Sequence, residues 1–133
     1  MRRVVLDTSA LFVLRDDEAG ADTVADLLYQ SQQGDAVCFA SFMSQMELFY
    51  RVWKDEGEAA GRLAYEQCQA LPIVWVQEDQ ALLEKAAELK ATLSISLADA
   101  WIGATALLQG AALVHKDPEF EVVNCPQEIL PYK

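Results

Sequence analysis

The sequence predicts an α/β fold, a three-layer sandwich in which helices cover both faces of a small, mainly parallel sheet. Three observations lead there. Short β-branched or apolar runs alternate with longer stretches of helical spacing, helix outnumbers strand, and no repeat, linker or low-complexity segment interrupts the 133 residues. Successive parallel strands need crossovers, and right-handed crossovers place helices on both faces of the sheet.

The first strand is expected over residues 3–6, where Arg3-Val4-Val5-Leu6 stops at Asp7. Helical spacing follows over 9–14 and again over 21–32, the latter stopped by Gly34. A second strand over 36–40 leads into a helix over 42–54 that ends before Gly57, and a further helix over 59–70 is stopped by Pro72. A strand over 73–76, a helix over 80–92, a helix over 97–109 stopped by Gly110, and a strand over 112–115 complete the regular pattern, with a last short strand over 128–130.

With 53% hydrophobic residues, the chain is long enough to bury one core and too short for two, so residues 1–133 are expected to form one domain. No stretch approaches the roughly 18 uncharged apolar residues of a membrane span. Arg2 and Arg3 resemble the basic start of a secretory signal, but Asp7 cuts short the apolar run behind them, so a cytoplasmic protein is expected. Cys38, Cys68 and Cys125 are widely spaced, with no C-x-x-C pair, and read as reduced and structural. Ten basic residues stand against 21 acidic ones, a net charge of −11. Phosphate binding is driven by Lys and Arg, so this balance counts against nucleic acid unless the acids gather where cations bind or a basic partner joins.

Four acids share a local context. Asp7 follows a strand and precedes a helix, Glu47 lies in SFMSQMELFYRV, Asp99 in SISLADAWIGATALL and Asp117 in ALVHKDPEF. Each has a purely structural role open to it. Asp7 can cap the next helix, Ser44-x-x-Glu47 and Ser96-x-x-Asp99 both read as capping boxes, and Asp117-Pro118 reads as an N-cap with proline at the first helical position. In a parallel sheet, however, every helix N-terminus that follows a strand falls near the carboxyl edge, where open α/β sheets bind ligands. Four carboxylates converging there repel one another, so either their pKa values rise or a divalent cation neutralises them. With carboxylate oxygens and water as ligands, and no His or Cys among them, the ion expected is Mg²⁺ or Mn²⁺. Such a crevice suits metal-assisted phosphodiester hydrolysis, in which the metal acidifies a water and stabilises charge on the phosphate.

The segments VVLDTSALFVL, SFMSQMELF with its internal Glu47, and LADAWIGATALLQGAALVHKDPEF, together with the overall length, resemble the PIN-domain ribonucleases, in particular the VapC toxins of bacterial toxin–antitoxin pairs. The resemblance covers nearly the whole chain. It implies a Mg²⁺- or Mn²⁺-dependent RNA endonuclease with Asp7, Glu47, Asp99 and Asp117 as catalytic and metal-binding acids, a homodimer, and inhibition by a cognate antitoxin. That family often carries Thr or Ser two residues before its last Asp, where this sequence has His115. An imidazole there can hydrogen-bond a metal-bound water as a hydroxyl would, titrate near neutral pH, or face away. Because of this departure, Glu119 and Glu121 stand as alternative donors to Asp117. Ser9 can orient Asp7 or cap the helix behind it.

Arg51 and Lys54, four and seven residues beyond Glu47, share its helical face and are candidates to hold RNA, with Arg15 and Lys116 as others. Arg51 can equally form an i,i+4 salt bridge with Glu47. Phe42, Met46, Phe49, Tyr50 and Trp53 make a stripe at helical spacing, most of it core, part of it expected to meet a second copy or the antitoxin. Two rival functions are open. A phosphatase of the haloacid-dehalogenase type uses a strand-terminal Asp as nucleophile but wants a second acid two residues on, where Ser9 stands. A non-catalytic PIN-like module that binds protein or RNA is expected to have lost one or more of the acids, and none is missing.

Overall fold

The computed structural model describes residues 1–132. It contains strands β1 (Arg2–Leu6), β2 (Ala36–Ser41), β3 (Val74–Val76), β4 (Ala112–His115) and β5 (Gln127–Ile129). The helices are α1 (Thr8–Arg15), α2 (Ala21–Gln32), α3 (Phe42–Glu56), α4 (Glu58–Gln69), α5 (Gln80–Thr92) and α6 (Leu97–Gln109). A 3-10 turn over Pro118–Val122 joins β4 to β5. The strands lie in the order β3-β2-β1-β4-β5, and every pairing is parallel. The α/β expectation holds, and the sheet is parallel throughout its described length.

Alternation along the buried strands divides the core between two layers. Val4 and Leu6 of β1 face α1–α4 and pack with Val24, Leu27, Leu48 and Val52. Val5 points the other way, with Phe39 and Leu113, onto Ile102 of α6 and Phe120 of the 3-10 turn. Leu82 and Leu89 of α5 then close over Ala100 and Ala104 of α6. A strand covered on both faces reads as a continuous apolar run, which is why Val-Val-Leu carries no visible alternation in sequence. Cys38 and Cys68 are buried, Cys125 is half-buried, and all three are unpaired. None of the described helices is long and apolar enough to cross a membrane.

Two local readings are corrected. Ser44 and Glu47 do not form a capping box, because α3 begins two residues earlier than Ser44 and its N-cap is Ser41, whose Oγ accepts the Met43 N–H at 3.1 Å. β2 runs straight into α3 without a loop, so the chain turns at Ser41 and leaves Ser44 and Glu47 inside the helix. The aromatic stripe on α3, expected to be mostly core, is mostly at the surface, because Ser44, Leu48 and Val52 take the buried face of the helix. Phe42 and Phe49 are half-buried, while Met46, Tyr50 and Trp53 are exposed.

After β1 the chain builds β2 and β3 on one side, then crosses back to place β4 and β5 on the other. The order therefore reverses between β1 and β4, and a crevice opens there at the carboxyl edge.

Helices α3 and α4 approach unusually closely at Gly61, where a Cβ would lie 2.8 Å from Trp53 Cβ and 3.0 Å from Trp53 N. Alanine in a helix interior normally gains about 1 kcal/mol over glycine. Here the overlap with fixed backbone reverses the sign, and Gly61→Ala is expected to lower stability by about 1–3 kcal/mol. Urea unfolding measures it, and an unchanged or higher midpoint contradicts the close packing of the two helices.

Candidate active site

Asp7 stands where β1 ends. Its N–H donates to Val114 O at 3.2 Å, carrying the β1–β4 pairing one residue past the strand. The side chain, 2% exposed, caps α1 by accepting the Ala10 N–H on Oδ1 at 2.8 Å. Ser9 Oγ lies 2.7 and 2.8 Å from the two carboxylate oxygens and donates its proton there. The same Oγ accepts the Lys116 N–H at 2.8 Å, so Ser9 ties Asp7 to the segment that carries Asp117. Burial pushes the Asp7 carboxyl up to about 7, and the charge of Asp117 adds to that; the hydrogen bonds from Ala10 and Ser9 work against it.

Across the crevice, Asp99 lies in the first turn of α6, and its N–H donates to the N-cap Ser96 Oγ at 3.2 Å. Asp117 follows β4 and caps the 3-10 turn, with Oδ1 accepting the Glu119 N–H at 3.0 Å. Carboxylate oxygens of Asp99, Asp117 and Glu119 all lie within 4.8 Å of one another. Asp99 is pushed well above the usual carboxylate range, chiefly by burial, then by its hydrogen bond with Glu119 and the charge of Asp117. Glu119 is held below its ordinary value, chiefly by the hydrogen bond from Asp99. Two carboxyl groups this close relieve their repulsion when a proton lies between them, and Asp99 is the more deeply buried partner. In place of that proton, three carboxylates at this spacing offer the all-oxygen ligand set that a hard divalent ion prefers.

Glu47 lies outside this group of three, at its Asp7 side. Thr8 Oγ1 donates to Glu47 Oε1 at 2.6 Å and lies 2.9 Å from Ser44 Oγ. Consecutive residues of one turn thus hold two acids: Thr8 binds Glu47, and Ser9 binds Asp7. Of the four acids singled out in sequence, Asp99 and Asp117 come together directly, Asp7 faces Asp117, and Glu47 joins through Thr8. Glu119 joins Asp117 and does not replace it, while Glu121 is exposed and accepts a hydrogen bond from Tyr132. Thr8 was missed in sequence. A hydroxyl immediately after the strand-terminal acid is the signal, and only the return of α3 shows its partner.

The imidazole of His115 is fully buried and does not enter the crevice; its Nδ1 accepts the Asp117 N–H at 3.0 Å. Arg51 forms no ion pair with Glu47 among the described residues, and its guanidinium lies over the Phe12 ring, 4.5 Å from the centroid. Lys54 is exposed. Arg15 pairs with Glu56 at 3.1 Å and Asp16 at 3.2 Å, and Lys116 with Glu18 at 3.1 Å. Ser9, Phe12, Arg15, Arg51 and Lys116 line part of a cavity of about 300 Å³ beside Asp7.

Among curated protein sequences, none matches this chain. Solved structures share its fold. VapBC2 from Rickettsia felis, bound to a DNA fragment from its promoter, superposes with a TM-score of 0.78 at 16% identity over 97% of this chain and 99% of that one. DNA-bound VapBC from Salmonella typhimurium gives 0.78 at 18% identity over 97% and 98%. VapC20 from Mycobacterium tuberculosis, described as a toxin cleaving the sarcin-ricin loop, gives 0.73 at 18% identity over 96% and 99%. The PIN-domain family model matches residues 4–124, a span that runs from β1 through the 3-10 turn and includes all five crevice acids, so the chain belongs to the PIN-domain family.

Proposed function

We propose that the chain is a Mg²⁺- or Mn²⁺-dependent endoribonuclease that hydrolyses phosphodiester bonds of single-stranded or structured RNA, and that it is the toxin of a toxin–antitoxin pair acting in the cytoplasm. The observation that carries this reading is the group Asp99, Asp117 and Glu119, with oxygens within 4.8 Å, facing a buried Asp7 at the switch point of a PIN fold. The toxin assignment draws on the VapBC and VapC20 structures that share the fold.

Asp99, Asp117 and Glu119 would hold the ion, with Asp7 as a further donor beside Asp117. A divalent ion there supplies an acidified water at neutral pH and offsets charge on the phosphate. Ser9 fixes the rotation of Asp7. Glu47, steadied by Thr8 through Oε1, keeps its other oxygen to accept a proton. Arg51, propped on Phe12, and Lys54 on the same helix are placed to meet backbone phosphates. The exposed Met46, Tyr50 and Trp53 offer an apolar face for a second copy of the chain or for the antitoxin.

Incubation of purified, inhibitor-free protein with single-stranded RNA should give cuts with Mg²⁺ or Mn²⁺ and none with EDTA. Asp7→Asn and Asp99→Asn are each expected to lose at least about 100-fold in rate, since even groups behind a metal ligand contribute up to that much. No cleavage by folded wild-type protein under any metal condition would leave a binding module as the reading.

The raised pKa of Asp7 gives a second test, on metal-free protein. The folded chain keeps this proton up to about pH 7, whereas the unfolded chain releases it near 3.8. Stability is therefore lost as pH rises from 3.8 to about 7, by about 4 kcal/mol in all, and the loss is complete above that. Asp7→Asn should unfold at a higher denaturant concentration than wild type at pH 8 and match it near pH 3.5, with Mn²⁺ raising the melting temperature of wild type more. A variant less stable than wild type at pH 8 contradicts the burial penalty.

Self-association is checked by sedimentation equilibrium. Wild type should sediment as a dimer and Met46→Lys with Trp53→Lys as a monomer of unchanged circular dichroism; a dimer persisting in the double variant places the interface elsewhere.

A further inference from the structure

His115 and Gln127 form a hydrogen-bond chain that the proposed chemistry does not use. Nδ1 of His115 accepts the Asp117 N–H at 3.0 Å, and Nε2 lies 2.8 Å from Gln127 Oε1. Because Nδ1 faces a donor, the ring proton belongs on Nε2, where it is given to Gln127. The Gln127 amide nitrogen in turn donates to Phe120 O at 2.7 Å and to Val123 O at 3.0 Å. Those two carbonyls fix the orientation of the amide, since a flipped amide would face them with its oxygen. The chain begins on the backbone of Asp117 and ends on the 3-10 turn that carries Glu119. Its anchors are rigid: Leu130 N–H donates to His115 O at 2.8 Å, and Leu113 N–H to Pro126 O at 2.8 Å, locking β5 onto β4.

We infer that His115 and Gln127 are a positioning pair for the metal site. Neither touches the ion or the substrate. His115 aims Asp117 by holding its backbone N–H, and Gln127 holds the turn so that Glu119 stands at ligand distance from Asp117 and Asp99. This rests on the metal-dependent reading above. A packing role alone makes a different forecast. The His115 ring lies 5.3 Å from the Phe120 ring, and if only that contact matters, shape decides and hydrogen bonding does not.

Three variants separate these. Gln127→Met keeps length and volume but makes none of the bonds. His115→Leu removes both ring contacts. His115→Asn restores the acceptor alone, because an Asn side chain accepts the N–H two residues on, as in an Asx turn. Mn²⁺ binding is followed by loss of the free-ion signal in electron paramagnetic resonance, with circular dichroism to establish folding and cleavage kinetics alongside. Gln127→Met and His115→Leu should each weaken Mn²⁺ binding by about 10-fold or more, the size usual for groups that orient metal ligands, and His115→Asn should recover much of the loss. The Mn²⁺ concentration for half-maximal cleavage should rise in parallel, with KM for RNA unchanged.

Wild-type affinity in both Gln127→Met and His115→Leu overturns the pair while leaving the metal site standing. His115→Asn binding no better than His115→Leu shows that shape alone decides, and this comparison stands if Gln127→Met does not fold. Failure of wild type itself to take up Mn²⁺ overturns the metal-dependent reading, and the pair falls with it.

Discussion

The parallel pairing of β1 with β4 is the constraint on which the rest of the structure depends. It places the ends of both strands at one edge and makes that edge the point where strand order reverses. Asp7 emerges from β1 and Asp117 from just past β4, so their carboxylates face each other because the strands are in register, with no loop required to bring them together. The cost of this arrangement is a carboxylate at the end of a strand buried on both faces. Ser9 is what makes it tolerable, since its one hydroxyl serves both oxygens of Asp7 and also binds the backbone beside Asp117.

Electrostatics at the crevice and over the whole surface pull in opposite directions. A net charge of −11 repels polyanions at long range, yet the buried acids are those a cation would neutralise. The basic side chains nearest the crevice are mostly committed, Arg15 to Glu56 and Lys116 to Glu18. Arg51 differs, because its guanidinium is held by an aromatic face and keeps its donors for another group. A polyanion meeting so few free cations would make few phosphate contacts, and its affinity would depend only shallowly on salt. Recognition of such a ligand would then have to come from the shape of the crevice and from a bound cation.

Elements were largely legible in the sequence because strong punctuation bounds them. Gly34, Gly57 and Gly110 adopt positive φ where α2, α3 and α6 end, and the periodic segments between such stops match the observed helices to within two residues. The acids that flank the crevice were legible for a related reason, since they follow strand ends or open helices. Contacts between distant segments were not. Nothing near Thr8 announces that its hydroxyl meets Glu47 on α3, and nothing near Gln127 announces that it faces His115. The misplaced capping box has the same origin. Ser44-x-x-Glu47 fits the local pattern, but the direct passage from β2 into α3 moved the cap to Ser41 and released Glu47 for Thr8.

Capping a helix leaves these acids free to serve the proposed metal site as well. A helix N-terminus needs one oxygen to accept an N–H, and a carboxylate has two. In Asp7, Oδ1 accepts from Ala10, and Oδ2 has only its share of the Ser9 proton. In Asp117, Oδ1 accepts from Glu119, and that bond also draws Glu119 toward the same centre. At Asp99 the cap is supplied by Ser96, so its carboxyl group is left to meet Glu119. The helix N-termini thus fix the carboxylates by one oxygen or by a neighbouring hydroxyl and leave oxygens directed into the crevice. Their dipoles offset part of the repulsion, a fraction of a charge at each terminus, too little to balance several converging acids. The residual negative charge is what a divalent ion would neutralise.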